Sequence, residues 1–287
     1  MKRLALGLAL VLPVHLACGD DETTPPDHQH EPMALTVKFA AKVGTRNFAC
    51  GESYSGIAKT ATSTWSPQDF RFYVDNVRLV GAEGEEELTL DTSGANSAWQ
   101  HETVALLDFE NKQGDCSNGT TETRDQVVGT IHEGEYNRIR FTVGVPFAMN
   151  HQDVTTAPAP LNVSAMFWSW NAGYKFLKID GKTSGLPGYN IHLGSTGCTG
   201  NNMGQVEGCT NANRVEVELS GYDPATSVVV LDLAALVAQA NIDQNTPMTA
   251  SGCMSAPTDP ECMPIFTNLG LPMPGVSAGT QRIFKLE

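Results

Sequence analysis

The chain has 287 residues, 41% of them hydrophobic, and a formal charge of −14 at neutral pH. Its 18 basic residues form no stripe or cluster, so the counterion-releasing attraction on which nucleic-acid binding depends is missing. The acidity alone specifies no cation ligand, because acidic surfaces also keep exported proteins in solution.

At the start, Lys2 and Arg3 precede an apolar run from Leu4 to Val14, followed by His15-Leu16-Ala17-Cys18. This is the layout of an export signal, and the run is too short to remain in a bilayer as a span. Residues 1–18 are therefore read as a signal with a lipobox-like end. Cys18 is expected to become the first mature residue and to carry a lipid, which places the protein in a bacterial cell envelope, in the periplasm or on the outer-membrane surface. An aliphatic residue usually stands where His15 does, and ordinary signal cleavage is the alternative. Removing Cys18 leaves six of the seven cysteines, an even number that an oxidising compartment can pair. Six thiols allow fifteen pairings. Proximity in sequence favours Cys198 with Cys209 and Cys253 with Cys262, leaving Cys50 for Cys116.

Residues 19–33 are rich in Asp, Glu, Thr, Pro and His, with little to bury, and are read as a tether. His28 and His30 lie in it, where a solvated tail explains them better than a metal site that must pay the entropy of ordering. Residues 34–287 are expected to form one domain.

Short alternating runs follow, separated by Gly, Pro, Asn and Asp, which is the strand signal. Leu35-Val37-Phe39, Phe70-Phe72-Val74, Ile139-Phe141-Val143-Val145 and Val215-Val217-Leu219 each place their apolar residues on one face, and Arg138 and Arg140 face water. The change of phase from Val74 to Val77 and Leu79 predicts a bulge near Asp75-Asn76. Only Val229–Gln239 has helical spacing, through Leu233, Leu236 and Val237. One short helix among many strands predicts an all-β fold, a β-sandwich with long disulfide-stapled loops. The stretches 181–213 and 241–281 read as irregular, and their four cysteines supply the constraint that burial cannot.

No Gly-x-Ser-x-Gly elbow, Gly-rich phosphate loop, His-Glu-x-x-His or haem-attachment motif occurs, which weakens an enzymatic reading. Unusual residues concentrate instead in Gly144–Asp153, Met166–Phe176 and His192–Cys198. These segments, with Phe72–Leu79 and Leu106–Glu110 upstream, resemble the MbnP family of copper-binding proteins over nearly the whole mature chain. The resemblance implies a periplasmic or surface copper protein with a di-haem cytochrome c peroxidase-like partner that oxidises a tryptophan to kynurenine. It further implies Cu(I) held by two histidines and that kynurenine. Matched residue by residue, the implied metal ligands are His151, His192 and one of Trp168 or Trp170. These two tryptophans lie two apart and are expected to share a strand face.

The residues support part of this. Imidazole nitrogen suits copper. Indole offers only an N–H donor, so an unmodified tryptophan cannot ligate, whereas the aryl amine of kynurenine can. A blue-copper centre requires a free thiolate, which full pairing of the cysteines removes. Binding is expected to weaken below about pH 6.5, the ordinary imidazole value. Each residue also has a plainer reading: Trp168 and Trp170 as core aromatics, His151 as a hydrogen-bonded strand-end histidine, Met149 and Met166 as packing, His101 and His132 as surface histidines, and Glu85-Glu86-Glu87 as a solvated turn. Two rival functions are a metal-free module that recognises glycan or protein through Trp65, Trp99, Trp168 and Trp170, and an enzyme using Asp108, Glu110 and Asp153.

Overall fold

The computed structural model describes residues 31–202 and 205–287. The alternating runs form strands that assemble into two main sheets. In the smaller, Pro32–Val43 is central, flanked by Gln126–His132 antiparallel and Val228–Asp232 parallel, with Phe284–Leu286 and Thr89–Leu90 at the ends. The larger runs Val215–Ser220, Tyr136–Val143, Thr64–Gly81, Leu177–Thr183, Tyr189–Leu193 and Gly252–Cys253, and Val104–Asp108 also pairs with the long strand Thr64–Gly81.

Side-chain alternation lets both sheets turn an apolar face to each other. Phe39 of the smaller sheet meets Phe141 and Phe72 of the larger edge to face, with ring centroids 5.6 and 6.3 Å apart, and Phe284 packs on the same two rings at 5.2 and 5.8 Å. Arg138 and Arg140 project away from this core and pair with Glu218 and Glu85. These observations establish the all-β sandwich.

The bulge falls where the phase change places it. Arg140 lies opposite Arg78 while Thr142 lies opposite Asp75, so Asn76 and Val77 together face Phe141. Asn76 adopts φ 57°, a left-handed conformation that asparagine tolerates, and its Oδ1 accepts a hydrogen bond from Arg78.

Three details differ from the sequence reading. The first strand begins at Pro32, within the expected tether. Cys18, His28 and His30 lie outside the described residues. Of the segment expected to be helical, Val228–Asp232 is a strand, because its β-branched run is paired with Pro32–Val43, and the helix spans only Leu233–Val237, capped by Asp232. The stretches read as irregular contain the strands Tyr189–Leu193, Thr196–Gly200 and Val206–Asn211 and a helix at Cys262–Leu269. Their Gly, Thr, Asn and Cys content hides them from an apolar count. The three disulfides are Cys50–Cys116, Cys198–Cys209 and Cys253–Cys262, the pairing that sequence proximity favoured.

Because Phe72 is fully buried and touches rings from both sheets, Phe72→Ala should cost about 3–5 kcal/mol in urea unfolding of the oxidised protein. A loss below about 1 kcal/mol would show that the inter-sheet rings are not the core.

Candidate metal centre

The outer face of the larger sheet is built by the same alternation that buries Phe70, Phe72, Leu177 and Ile179 on the inner one. Asp69, Arg71, Lys178, Asp180 and His192 occupy it. In register, Arg71 lies opposite Lys178, Asp69 opposite Asp180, and Lys178 opposite His192. Such a row ordinarily faces water, yet Asp69 and Arg71 are buried and Lys178 and His192 nearly so. The row is satisfied internally: Asp69 takes hydrogen bonds from Arg71 and Lys178, and Lys178 also reaches Asp180 at 2.7 Å. Burial pushes the Asp180 carboxyl up, but the hydrogen bond and charge of His192, together with Lys178, outweigh it and hold it below its usual value. Asp108, opposite Arg71, is driven by burial to about 8, with Arg71 only partly opposing the shift.

The cover over this face is the segment the sequence singled out. Tyr73 and Tyr174 pack edge to face, and their hydroxyls donate to the carbonyls of Pro160 and Leu161. Asn150 is buried. Its Oδ1 accepts from the Tyr174 amide at 2.9 Å, and its Nδ2 donates to Ser195 Oγ at 3.4 Å. Gly173 permits this approach, since a Cβ there would lie 2.4 Å from Asn150 Oδ1. Ser255 joins the amide of Gly194 to the carbonyl of His192.

His192 Nε2 lies 2.7 Å from Asp180 Oδ1. A carboxylate only accepts, so Nε2 carries the proton, and the Nδ1 of a neutral ring holds the lone pair. That Nδ1 is buried with no hydrogen-bond partner. Trp168 packs on this imidazole with ring centroids 6.2 Å apart. It fits because residue 194 is glycine: a Cβ there would come within 2.5 Å of the indole Cζ3. Trp168 also lines a cavity of about 320 Å³ with Ser195, Cys198 and Met254.

His151 occupies a different setting. Its Nδ1 donates to the carbonyl of Trp170 at 2.9 Å, which leaves the Nε2 lone pair facing Asn150 Nδ2 at 3.2 Å and Cys209 Sγ at 3.5 Å. Both histidines thus have one nitrogen tied to an acceptor, the second-shell arrangement of metal-ligating imidazoles, but only His192 has its other nitrogen without a partner, since Asn150 Nδ2 donates to that of His151. No hydrogen bond or ring contact joins the two imidazoles.

The two tryptophans do not share a face. The strand Phe167–Ser169 ends between them, and Trp170, half exposed, lines a cleft with Phe147 and His151, whereas Trp168 faces His192. Of the aromatics proposed for ligand recognition, Trp65 is fully buried and Trp99 partly so, which leaves Trp170 alone well exposed among them. Of the three candidate catalytic carboxylates, Asp108 and Glu110 are buried beside Arg71, while Asp153 is exposed and folded back onto the amide and hydroxyl of Thr155.

A loop-capped, disulfide-stapled β-sandwich with histidines whose rings are held by acceptors is the class of protein these features define. The MbnP family model matches residues 32–255, and the chain belongs to that family, which is associated with copper. It is similar in structure to MbnP from Methylosinus trichosporium, with 29% identity and a TM-score of 0.76, over 89% of this chain and 98% of that one. No curated protein matches.

Asp108 supplies a pH test. Its folded-state value of about 8 lies above the ordinary 3.8, so between these values the folded state holds a proton that the unfolded state has lost. Relative to Asp108→Asn, the wild-type protein should therefore lose stability as pH rises through that window and level off above it. Parallel stability curves for the two proteins would refute the buried, protonated carboxyl.

Proposed function

We propose that the protein binds copper in the bacterial envelope, for uptake, storage or buffering rather than for catalysis. In this reading the ion is Cu(I), held by His192 Nδ1 and by Trp168 after its oxidation to kynurenine; His151, the second histidine that the family resemblance implies, is left out because its Nε2 rests against Asn150 and Cys209. The observation that carries it is the buried, partnerless Nδ1 of His192, whose ring packs against Trp168 with centroids 6.2 Å apart, with Asp180 on the opposite nitrogen. An unpaired buried nitrogen costs stability unless something uses it. A soft monovalent ion is a fitting occupant.

Trp168 is chosen over Trp170 because its ring packs against His192, the histidine with a partnerless nitrogen. Its oxidation breaks the indole C2–C3 bond and places an oxygen on each carbon, with two peroxide molecules reduced to water. Hydrolysis then releases C2 as formate and frees the aryl amine, whose lone pair the indole lacked. A di-haem cytochrome c peroxidase-like enzyme is the proposed oxidant. Lipid attachment at Cys18 would hold the protein at the membrane.

His192→Ala should weaken copper binding by more than about tenfold, measured by chelator competition on protein co-expressed with the di-haem enzyme. Trp168→Phe should do the same and abolish the mass change in its peptide, whereas Trp170→Phe should leave both intact. His151→Ala is expected to retain the copper in oxidised protein. Retention of copper by His192→Ala, or an unmodified Trp168 peptide in every preparation, would overturn the corresponding ligand.

A further inference from the structure

Cys198, Cys209 and His151 place two sulfurs and one imidazole nitrogen all within 4.8 Å of one another. In the oxidised protein the sulfurs are bonded together. We propose that reduction of this disulfide opens a second site for Cu(I), with Cys198 and Cys209 as thiolate ligands and His151 Nε2 as the third. The proposal stands on different residues from those of the His192 reading.

Three observations carry it. First, the ligand nitrogen is already prepared. The Trp170 carbonyl accepts a hydrogen bond from Nδ1–H, so Nε2 holds the lone pair; it lies 3.5 Å from Cys209 Sγ and now accepts from Asn150 Nδ2 at 3.2 Å, a contact that the metal would displace. Second, reduction leaves the sulfurs in place. Cys198 and Cys209 lie directly opposite each other in the hairpin Thr196–Gly200/Val206–Asn211, whose pairing continues on both sides at Thr196 with Asn211 and Thr199 with Gly208. Opposed residues in such a ladder hold their Cβ atoms about 4.5–5.5 Å apart without any covalent link. Third, this bond is accessible. Both of its cysteines are partly exposed, and Cys198 lines the surface cavity that Trp168 and Met254 share. By contrast, Cys253 and Cys262 are 1% and 0% exposed, and in the third bond Cys50 is partly exposed but Cys116 is 0%. Thiol–disulfide exchange requires an incoming thiolate to reach a sulfur, and the hairpin bond is the one that offers both of its sulfurs.

The chemistry balances with a dithiol as reductant. The dithiol transfers two electrons and two protons to the Cys198–Cys209 bond, giving two thiols and becoming a disulfide itself. Cu(I) then displaces the two thiol protons. Two thiolates and an imidazole form a soft donor set that suits a monovalent copper ion.

The test uses the mature protein, oxidised or reduced with a phosphine, which takes the oxygen of water and leaves two thiols. Cu(I) is supplied as its acetonitrile complex without oxygen, against bicinchoninate. Reduced protein should bind one more copper ion than oxidised protein. Cys198→Ser/Cys209→Ser should lose that increment, as should His151→Ala, while both fold as judged by circular dichroism. His192→Ala should keep the increment, so failure of the first site and failure of this one are read separately. Alkylation during reduction should label Cys198 and Cys209 first. Equal copper in both redox states, an increment that survives the double serine variant, or earlier labelling of Cys253 and Cys262 would each overturn the proposal.

Discussion

The row of charges under the covering segments is the constraint on which the rest of the structure depends. Asp69 and Asp180 oppose Arg71 and Lys178, giving two negative and two positive groups in contact. Moving such charges out of water costs several kcal/mol per ion, and only close pairing with full hydrogen bonding returns it. The covering residues 147–176 and 194–200 therefore cannot settle loosely. Asn150, Tyr174 and Ser255 fix their backbones by named hydrogen bonds, and the position of Trp168 over His192 is a consequence. Asp108 fits the same logic, since a carboxyl that keeps its proton adds no charge to a balanced set.

This constraint also marks where reading the sequence stopped. Phe70-Phe72 and Leu177-Ile179 announce an inner face by alternation, and the strands form there. Asp69-Arg71 and Lys178-Asp180, the intervening residues of the same strands, carry the pattern that ordinarily denotes a water-facing side. Nothing local distinguishes a solvated charge from one covered by a segment a hundred residues away. Family resemblance named His151, His192 and one of Trp168 or Trp170 as candidates, but not which of them lie side by side. Two positions of separation put Trp168 and Trp170 on one face only if the strand continues past Ser169, and it ends there. The bulge at Asn76 was legible because a bulge shifts the phase of an apolar pattern, which sequence displays directly.

The disulfides divide by what else holds their surroundings. Cys253–Cys262 ties the strand pairing beside Tyr189–Leu193 to the start of a helix and is buried, and Cys50–Cys116 closes a loop of 66 residues. A long loop closed by a bond gains more from the lost freedom of the unfolded chain than a short one does. Cys198–Cys209 closes 11 residues that strand pairing already closes. Its hairpin keeps that pairing when the bond is reduced, and it is the bond beside which His151 Nε2 lies.

The charge balance bears on the oxidation state of copper at His192. In the proposed centre both ligands, an imidazole nitrogen and an aryl amine, are neutral, and the carboxylate nearest to them, Asp180, is already engaged by Lys178 and His192. An ion placed there adds its full charge to a buried region with no uncommitted counter-charge. The solvation cost of burying an ion rises with the square of its charge, so a divalent ion would face roughly four times the penalty of a monovalent one. Cu(II) also favours tetragonal nitrogen and oxygen surroundings, whereas Cu(I) accepts few, soft ligands. Within the proposed centre, charge and coordination thus favour the monovalent ion on two independent grounds.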